Sequence, residues 1–238
     1  RSAGTPAKLL YTIPNFHNPA GVDLSLERRR RVVDLAETHN LVILEDDAYG
    51  ELRFSGQSFP SLYGLAPRGR VVRSATLSKI LAAGLRIGYL CAPREVIARL
   101  NGLKLDGGAS PFVGRVAATW LRQDHDVHVP GLIDLYRGKR DALVRGIEKG
   151  FPPGDALRPT WTLPAGGFFL WLRLPHGVDG AKVAAAAADR GVAYVNGTSF
   201  FADGSGAEYI RLAWSMLSEP DLEQAGAMLA ESIHVAAG

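Results

Sequence analysis

The sequence predicts an α/β fold, in which helices flank a mostly parallel β-sheet and a smaller α+β domain follows. Short β-type runs alternate with helical runs in the first half of the chain, an order that is typical of parallel sheets. Residues 41–44, Leu-Val-Ile-Leu, form an unbroken apolar run, as do strands that are buried on both faces. The pattern changes beyond about Pro130, so we expect one domain over residues 1–129 and another over residues 130–238.

The elements of the first domain follow from periodicity and from end signals. Leu26, Val33 and Ala36 keep an apolar helical spacing, and Ser25 before them is a suitable N-cap. The predicted strands are residues 9–13, 41–45, 70–74 and 86–91, and the predicted helices are residues 25–40, 93–104 and 112–122.

The second domain is predicted to begin with a long helix over residues 132–148, which ends before a Pro/Gly-rich turn at residues 151–155. Ser218 and Asp221 form a capping-box pattern that begins a last helix, which we extend to about Ile233. Between these helices we predict strands at residues 168–172, 192–195 and 209–213 and a helix at residues 180–190.

The composition limits the class of protein. The chain has 238 residues, of which 47% are hydrophobic and 21% charged, as is ordinary for a globular protein with a large core. The net charge of +3 gives no reason to expect nucleic acid as a partner. No apolar run approaches the roughly 18 residues of a membrane span, and the single Cys91 suits a reducing cytoplasm. We therefore expect a cytoplasmic protein.

One basic cluster consists of four consecutive arginines at residues 28–31. Glu27 and Asp34 place acidic side chains among them on the same predicted helix. We expect a solvated helix face here rather than a surface that binds a phosphate backbone.

Polar residues follow three of the predicted strands. Asn18 lies beyond residues 9–13, Asp46 comes directly after residues 41–45, and Lys79 lies a loop beyond residues 70–74. In open α/β sheets, ligands bind outside the carboxyl ends of the strands. We therefore expect these three residues to converge on one pocket.

The residue types in this pocket indicate a cofactor. A lysine such as Lys79 forms a Schiff base with an aldehyde, and it attacks as the neutral amine, which a neighbouring cation such as Arg86 favours. A carboxylate such as Asp46 can hold a pyridine nitrogen protonated, and the phenol of Tyr49 can donate to a ring oxygen. Pyridoxal phosphate (PLP) needs such a set, with Arg86 for its phosphate.

Other catalytic signatures do not account for these residues. Residues 41–47 also resemble the metal-holding strand of a nucleotide hydrolase, but that fold requires G-x-x-x-x-G-K-[ST], and residues 138–140 are Gly-Lys-Arg. G-x-S-x-G, H-E-x-x-H and the dinucleotide glycine fingerprint are absent from the sequence. His125 and His128 stand near two aspartates, which predicts an exposed turn rather than a metal site.

Several of these motifs together resemble the class I/II aminotransferases of the fold-type-I PLP superfamily. The matching segments occur in the family's order over nearly the full length of the chain. They include residues 14–21 (PNFHNPAG), 46–49 (DDAY), 76–79 (TLSK), 84–88 (GLRIG) and 209–213 (YIRLA). Family members have a preceding segment with a glycine-containing phosphate loop, so the resemblance implies an incomplete large domain in this chain.

The resemblance implies roles for the residues around the cofactor ring. Lys79 would carry the Schiff base and then move the substrate α-proton. Asp46 would pair with the pyridine nitrogen, and Tyr49 would hold the ring hydroxyl. Asn18 would contact the ring oxygen and the substrate carboxylate.

The resemblance also implies how charged groups are bound. Thr76, Ser78 and Arg86 would bind the cofactor phosphate. Arg211 would clamp the substrate carboxylate through two parallel hydrogen bonds from its guanidinium group. The alternative for Arg211 is a surface charge on an edge strand. We expect a homodimer whose substrates are small-molecule amino acids and 2-oxo acids. We expect no nucleic acid or membrane as a partner and no metal in the site.

Three functions stay open at this stage. The first is amino-group transfer from an α-amino acid to a 2-oxo acid. The second keeps the cofactor site but directs the chemistry to β- or γ-substitution, cyclisation or decarboxylation. The third is the effector domain of a PLP-sensing transcription regulator.

Overall fold

The computed structural model describes residue 4 and residues 6–66, 69–105 and 107–238. Contacts between residues divide the chain into two compact units. The first unit comprises residues up to Asn15 and Asp23–Leu132, and the second comprises Phe16–Val22 and Ile133–Gly238. The division at residue 132 lies near the suggested boundary, but the grouping of Phe16–Val22 with the C-terminal part was not predicted. The domain limits themselves stay a prediction.

The first unit is built on a four-stranded sheet. Its strands are β1 Leu9–Thr12, β2 Val42–Asp47, β3 Val71–Thr76 and β4 Gly88–Cys91. They lie side by side in chain order; β1 and β2 are parallel, β2 and β3 are parallel, and β4 is antiparallel to β3. The expectation of a mostly parallel sheet is therefore confirmed. The helices are α1 Leu26–Thr38, α2 Leu62–Leu65, α3 Arg94–Leu103 and α4 Pro111–Gln123.

Helix α1 covers one face of this sheet. The Ser25 hydroxyl accepts a hydrogen bond from the backbone N–H of Arg28 at 3.3 Å, which confirms the predicted N-cap. Residues of α1, α2, β2 and β3 form a buried apolar cluster of Val33, Ala36, Ile43, Leu62 and Val71. Each larger aliphatic side chain in such a core stabilises the fold by about 1.5–3 kcal/mol.

The second unit holds an antiparallel sheet. Its strands are β5 Thr160–Trp161, β6 Phe169–Arg173, β7 Val195–Asn196 and β8 Tyr209–Ala213, in the order β5-β6-β8-β7. The helices are α5 His125–Lys149, which begins in the first unit, α6 Gly180–Asp189 and α7 Glu219–Ala237. Alternate residues of β6 and β8 are buried, namely Leu170, Leu172, Ile210 and Leu212, as expected for a sheet with one packed face.

Two elements begin three or more residues from the start that the sequence predicted, for local reasons. Helix α5 begins at His125 rather than at residue 132, and Pro130 lies inside it. A proline inside a helix removes one hydrogen bond and can kink the helix without ending it. The strand expected at residues 192–195 is only Val195–Asn196, because the Val192 N–H donates to the carbonyl of Ala187 at the end of α6.

No helix in the described ranges is both long enough and apolar enough to cross a membrane.

Candidate active site

The sheet of the first unit has two chemically different faces. Tyr11 pairs with Leu44 across β1 and β2, and Asp46 pairs with Ser74 across β2 and β3. Side chains alternate along a strand, so one face of the sheet carries a set of residues that are not buried, namely Tyr11, Leu44, Asp46, Ser74 and Thr76. We call this the open face. The opposite face, which packs against α1 and α2, we call the packed face.

Asp46 lies on the open face near the carboxyl end of β2. The sequence suggested that Asp46 follows the strand. The strand continues to Asp47, so Asp46 lies within it. The Tyr11 hydroxyl donates a hydrogen bond to Oδ2 of Asp46 at 2.6 Å. Burial, together with the hydrogen bond and the charge of Asp46, raises the pKa of Tyr11 to about 12, so the phenol stays protonated at neutral pH.

Glu45, one residue before Asp46, lies on the packed face and is 0% exposed. Its two carboxylate oxygens accept hydrogen bonds from the backbone N–H groups of Leu62 and Tyr63, each at 2.9 Å. Burial raises the pKa of Glu45, and the two N–H donors oppose that rise. Glu45 therefore caps the start of α2 and is not available to a ligand.

Asp47, one residue after Asp46, also lies on the packed face and is only 9% exposed. Its Oδ1 accepts from the Asn15 amide at 2.8 Å, and its Oδ2 pairs with the Arg73 guanidinium at 2.5 Å. Three consecutive acids thus have three different environments, and Asp46 alone among them stands on the open face. Asp46 was selected from the sequence by its place in the segment at residues 46–49, and the strand register adds the physical reason.

Arg29 extends the polar network of the packed face and corrects one expectation. The arginines at residues 28–31 were expected to form a solvated helix face, and three of them are exposed, but Arg29 is 0% exposed. Its Nη2 donates to Oδ1 of Asn15 at 2.6 Å and to the carbonyl of Pro14 at 2.8 Å. Its Nε and Nη1 donate to the carbonyls of Leu24 and Pro60. For Arg29 the solvated-face expectation is wrong.

The residues expected to bind phosphate lie around the end of β3. Thr76 Oγ1 is 2.9 Å from Ser78 Oγ and 3.1 Å from the carbonyl oxygen of Ile87, and it accepts from the Ser78 N–H at 3.1 Å. Lys79 follows in the same turn and is half-buried. Asp46 and Thr76 lie on adjacent strands and on the same face, and Ser78 and Lys79 follow in the turn after β3. These four residues therefore lie at the carboxyl ends of β2 and β3.

Arg86 lies after the 3₁₀ turn Ala83–Leu85 and is exposed. Its backbone has a φ of 54°, which is uncommon for a residue other than glycine and recurs at functional sites. Nη1 donates to the carbonyl of Ala83 at 3.2 Å. Tyr49, in contrast, follows β2 in a turn and is only 8% exposed.

The second unit holds the two remaining candidates. Arg211 donates from Nη1 to Oδ1 of Asn18 at 2.8 Å. Its guanidinium carbon lies 4.3 Å from the ring centroid of Phe169 and 5.0 Å from that of Phe200. Strand β8 lies between β6 and β7, so the alternative of an edge-strand surface charge for Arg211 is wrong. The convergence of Asn18 with Asp46 and Lys79 stays a prediction.

Gly21, three residues after Asn18, allows its segment to approach the backbone of β6 closely. Its φ is +65°, and a Cβ atom at this position would lie 2.5 Å from the carbonyl oxygen of Phe169. Only glycine allows both the conformation and the approach, which explains the glycine in the Asn-Pro-Ala-Gly segment.

The histidines near residue 125 are not in the exposed turn that the sequence suggested, because His125 begins α5. His125 Nε2 is 2.6 Å from Glu51 Oε2, and Nδ1 is 2.8 Å from Asp126 Oδ1. Trp120 meets the rings of His125 and His128 edge-on. In the part of the chain that the structure describes, no group of three or more His, Cys, Asp or Glu side chains could hold a metal ion.

Comparison with known structures identifies the class of fold. Kynurenine aminotransferase of Pyrococcus horikoshii, described as a complex with PMP, superposes with a TM-score of 0.90 at 34% sequence identity, over 98% of this chain and 58% of that chain. The sequence matches the family "Aminotransferase class I and II" over residues 3–229. The chain therefore belongs to the class I and II aminotransferase family.

Two relatives from sequence comparison differ in kind. Aromatic-amino-acid aminotransferase 1 of Thermococcus litoralis is 37% identical over 97% of this chain and 55% of its own length. An uncharacterised HTH-type transcriptional regulator of Bacillus subtilis is 35% identical over 91% of this chain and 44% of its own length. The chain thus spans about half the length of the relatives that it matches.

Proposed function

We propose that the protein is a PLP-dependent aminotransferase that moves an amino group between an α-amino acid and a 2-oxo acid. One observation carries the proposal beyond family membership. Of the consecutive acids Glu45, Asp46 and Asp47, only Asp46 stands on the open face, near the carboxyl end of β2 and next to the strand β3 that leads to Thr76 and Lys79. A carboxylate that can pair with a pyridine nitrogen and a lysine that can form a Schiff base are what this cofactor requires.

The donor set fits the cofactor in each of its parts. Thr76 and Ser78 offer hydroxyls 2.9 Å apart, and Arg86 offers an exposed guanidinium in the following turn, so a phosphate would find neutral and cationic donors. Asp46 would pair with the ring nitrogen, and Tyr49 would donate to the ring hydroxyl. Lys79 would anchor the aldehyde carbon. The relative described with PMP supports the same cofactor class.

Bound PLP would withdraw electrons from the substrate α-carbon and store the amino group. Lys79 would take the substrate α-proton on Nζ and pass it to a second carbon centre. Arg211, fixed by Asn18, would hold the substrate carboxylate through two parallel hydrogen bonds. Asn18 would also contact the ring oxygen.

We extend the proposal to partners and location. The substrates would be small-molecule amino acids and 2-oxo acids, and the protein would form a homodimer, as the family resemblance implies. A net charge of +3 and a single cysteine support a cytoplasmic enzyme that needs neither nucleic acid nor membrane.

Borohydride trapping tests the proposal directly. Full-length protein incubated with PLP is reduced with borohydride, digested and mapped by mass spectrometry. We expect the reduced adduct on Lys79, its loss in Lys79→Ala, and its retention in Lys104→Ala, an exposed lysine of the same unit. An adduct on another lysine, or none on wild type, would refute the assignment.

A second candidate is the effector domain of a PLP-sensing regulator, which the Bacillus subtilis relative favours. A half-reaction separates the two. An aminotransferase given PLP and a suitable amino acid accumulates pyridoxamine phosphate and the matching 2-oxo acid, and a sensor does not. A screen of amino acids by mass spectrometry that yields another product without pyridoxamine phosphate would favour substitution, cyclisation or decarboxylation.

A further inference from the structure

Tyr11 lies beside the proposed ring-nitrogen ligand on the open face. It belongs to β1 and pairs with Leu44 of β2, which places it one strand from Asp46. Its hydroxyl donates to Oδ2 of Asp46 at 2.6 Å, and 53% of Tyr11 is exposed. A tyrosine so exposed contributes little to the core, so its contact with Asp46 is its distinctive feature.

We propose that Tyr11 is a positioning residue that fixes the Asp46 carboxylate through Oδ2 and leaves Oδ1 for the cofactor ring nitrogen. This inference rests on the proposed function. It adds a residue outside the motifs that carry the family resemblance.

The argument begins with the freedom of the Asp46 side chain. Glu45 and Asp47, its neighbours in sequence, are each held at both carboxylate oxygens by partners on the packed face. Among the described residues, Tyr11 donates a hydrogen bond to one oxygen of Asp46, Oδ2. A carboxylate that is tied at one oxygen reaches its ligand with a single orientation, and preorganisation of this kind strengthens binding and catalysis.

The donor must also keep its proton. With a pKa of about 12, caused mainly by burial and then by Asp46 itself, Tyr11 donates throughout the neutral range. Hydrogen bonds to charged acceptors are about twice as strong as neutral ones. The contact is thus strong enough to orient Asp46 although it is partly open to water.

A double-mutant cycle on full-length protein tests the inference. Tyr11→Phe, Asp46→Asn and the double variant are compared with wild type for PLP affinity, measured by titration of the cofactor-free protein, and for kcat and KM. We expect Tyr11→Phe to weaken PLP binding by about three- to tenfold, to lower kcat similarly, and to leave KM for the amino acid unchanged.

The coupling decides whether Tyr11 acts through Asp46. In the Asp46→Asn background, Tyr11→Phe should have little further effect on PLP affinity. Tyr89→Phe is the matched control, because Tyr89 lies on β4 of the same sheet, on the opposite face, with similar exposure; it should bind PLP as wild type does.

The possible outcomes separate the two proposals. Additive effects, or wild-type affinity in Tyr11→Phe, would overturn the inference and leave the proposed function intact. A fall in Tm of Tyr11→Phe beyond that of Tyr89→Phe, without coupling to Asp46, would assign Tyr11 a structural role instead. A wild-type protein that binds no PLP would refute both proposals together.

Discussion

Arg211 and Asn18 form a hydrogen bond of 2.8 Å although 193 positions separate them in the sequence. The bond joins the Asn-Pro-Ala-Gly segment to the central strand β8, and it occupies Nη1 of the guanidinium. Phe169 and Phe200 flank the same group, and aromatic rings hold a guanidinium by cation–π attraction. The guanidinium therefore has a fixed plane before any substrate arrives.

Arg211→Lys should raise KM for every carboxylate substrate by roughly tenfold or more, because an ammonium cannot make the paired hydrogen bonds of a guanidinium. Steady-state kinetics with several amino acids and 2-oxo acids measure this effect. Arg173→Lys is a suitable control, since Arg173 lies on β6 of the same sheet and stacks over Tyr209. An effect confined to one substrate would contradict a general carboxylate clamp.

Gly21→Ala should destabilise the protein by more than the about 1–3 kcal/mol that a left-handed backbone costs a non-glycine residue. The excess arises because the new Cβ would lie 2.5 Å from the carbonyl oxygen of Phe169. Gly177→Ala isolates the backbone cost, since Gly177 has a φ of +85° and nothing within 4 Å of its added Cβ. Urea denaturation compares the two variants, and equal losses would show that the close approach is unimportant.

Much of the fold could be predicted from local patterns. The helix at Leu26–Thr38, the strand at Tyr209–Ala213 and the helix after Ser218 carry their own periodicity and caps. Elements without a local signal were missed, such as the two-residue β5 and the short α2. Helix α2 is held at its start by Glu45, a contact that no local pattern contains.

The candidate site divides in the same way. Lys79, Asp46 and Arg86 could be selected because each lies in a recognisable segment near a strand end. Tyr11 could not, because its relation to Asp46 depends on the pairing of β1 with β2. Arg29 was predicted to be exposed to solvent. A run of arginines on a helix gives no indication that one of them points inward and donates to backbone carbonyls.

Arg29→Met should cost about 3–5 kcal/mol of the free energy of unfolding, because each buried acceptor that is left without its donor costs about 1–3 kcal/mol. The substitution keeps an extended side chain but leaves Oδ1 of Asn15 and the carbonyls of Pro14, Leu24 and Pro60 without their donor. Arg30→Met on the exposed face should change stability by no more than about 0.5 kcal/mol. If urea denaturation gave similar losses for both, the Arg29 network would not stabilise the fold.

His125→Gln should remove part of the pH dependence of stability. Hydrogen bonds to Asp126 and then to Glu51 raise the pKa of His125 above 6.5, although burial opposes them slightly. Folding thus favours the charged form of His125. The contribution of His125 to the stability of the fold is fully present below pH 6.5 and is lost as the pH rises through the folded-state pKa. As the pH rises from about 6 to about 8, the Tm of the wild type should therefore fall by more than the Tm of His125→Gln.

The matched control for this variant is His128→Gln. His128 meets the same Trp120 ring at 5.7 Å, compared with 5.5 Å for His125, but the carboxylates of Glu51 and Asp126 contact His125. His128→Gln should therefore keep the wild-type slope of Tm against pH, while His125→Gln flattens it. High salt should reduce the difference, because His125 and both acids are partly exposed and exposed pairs are screened. Parallel slopes for wild type and His125→Gln would show that protonation of His125 does not stabilise the start of α5.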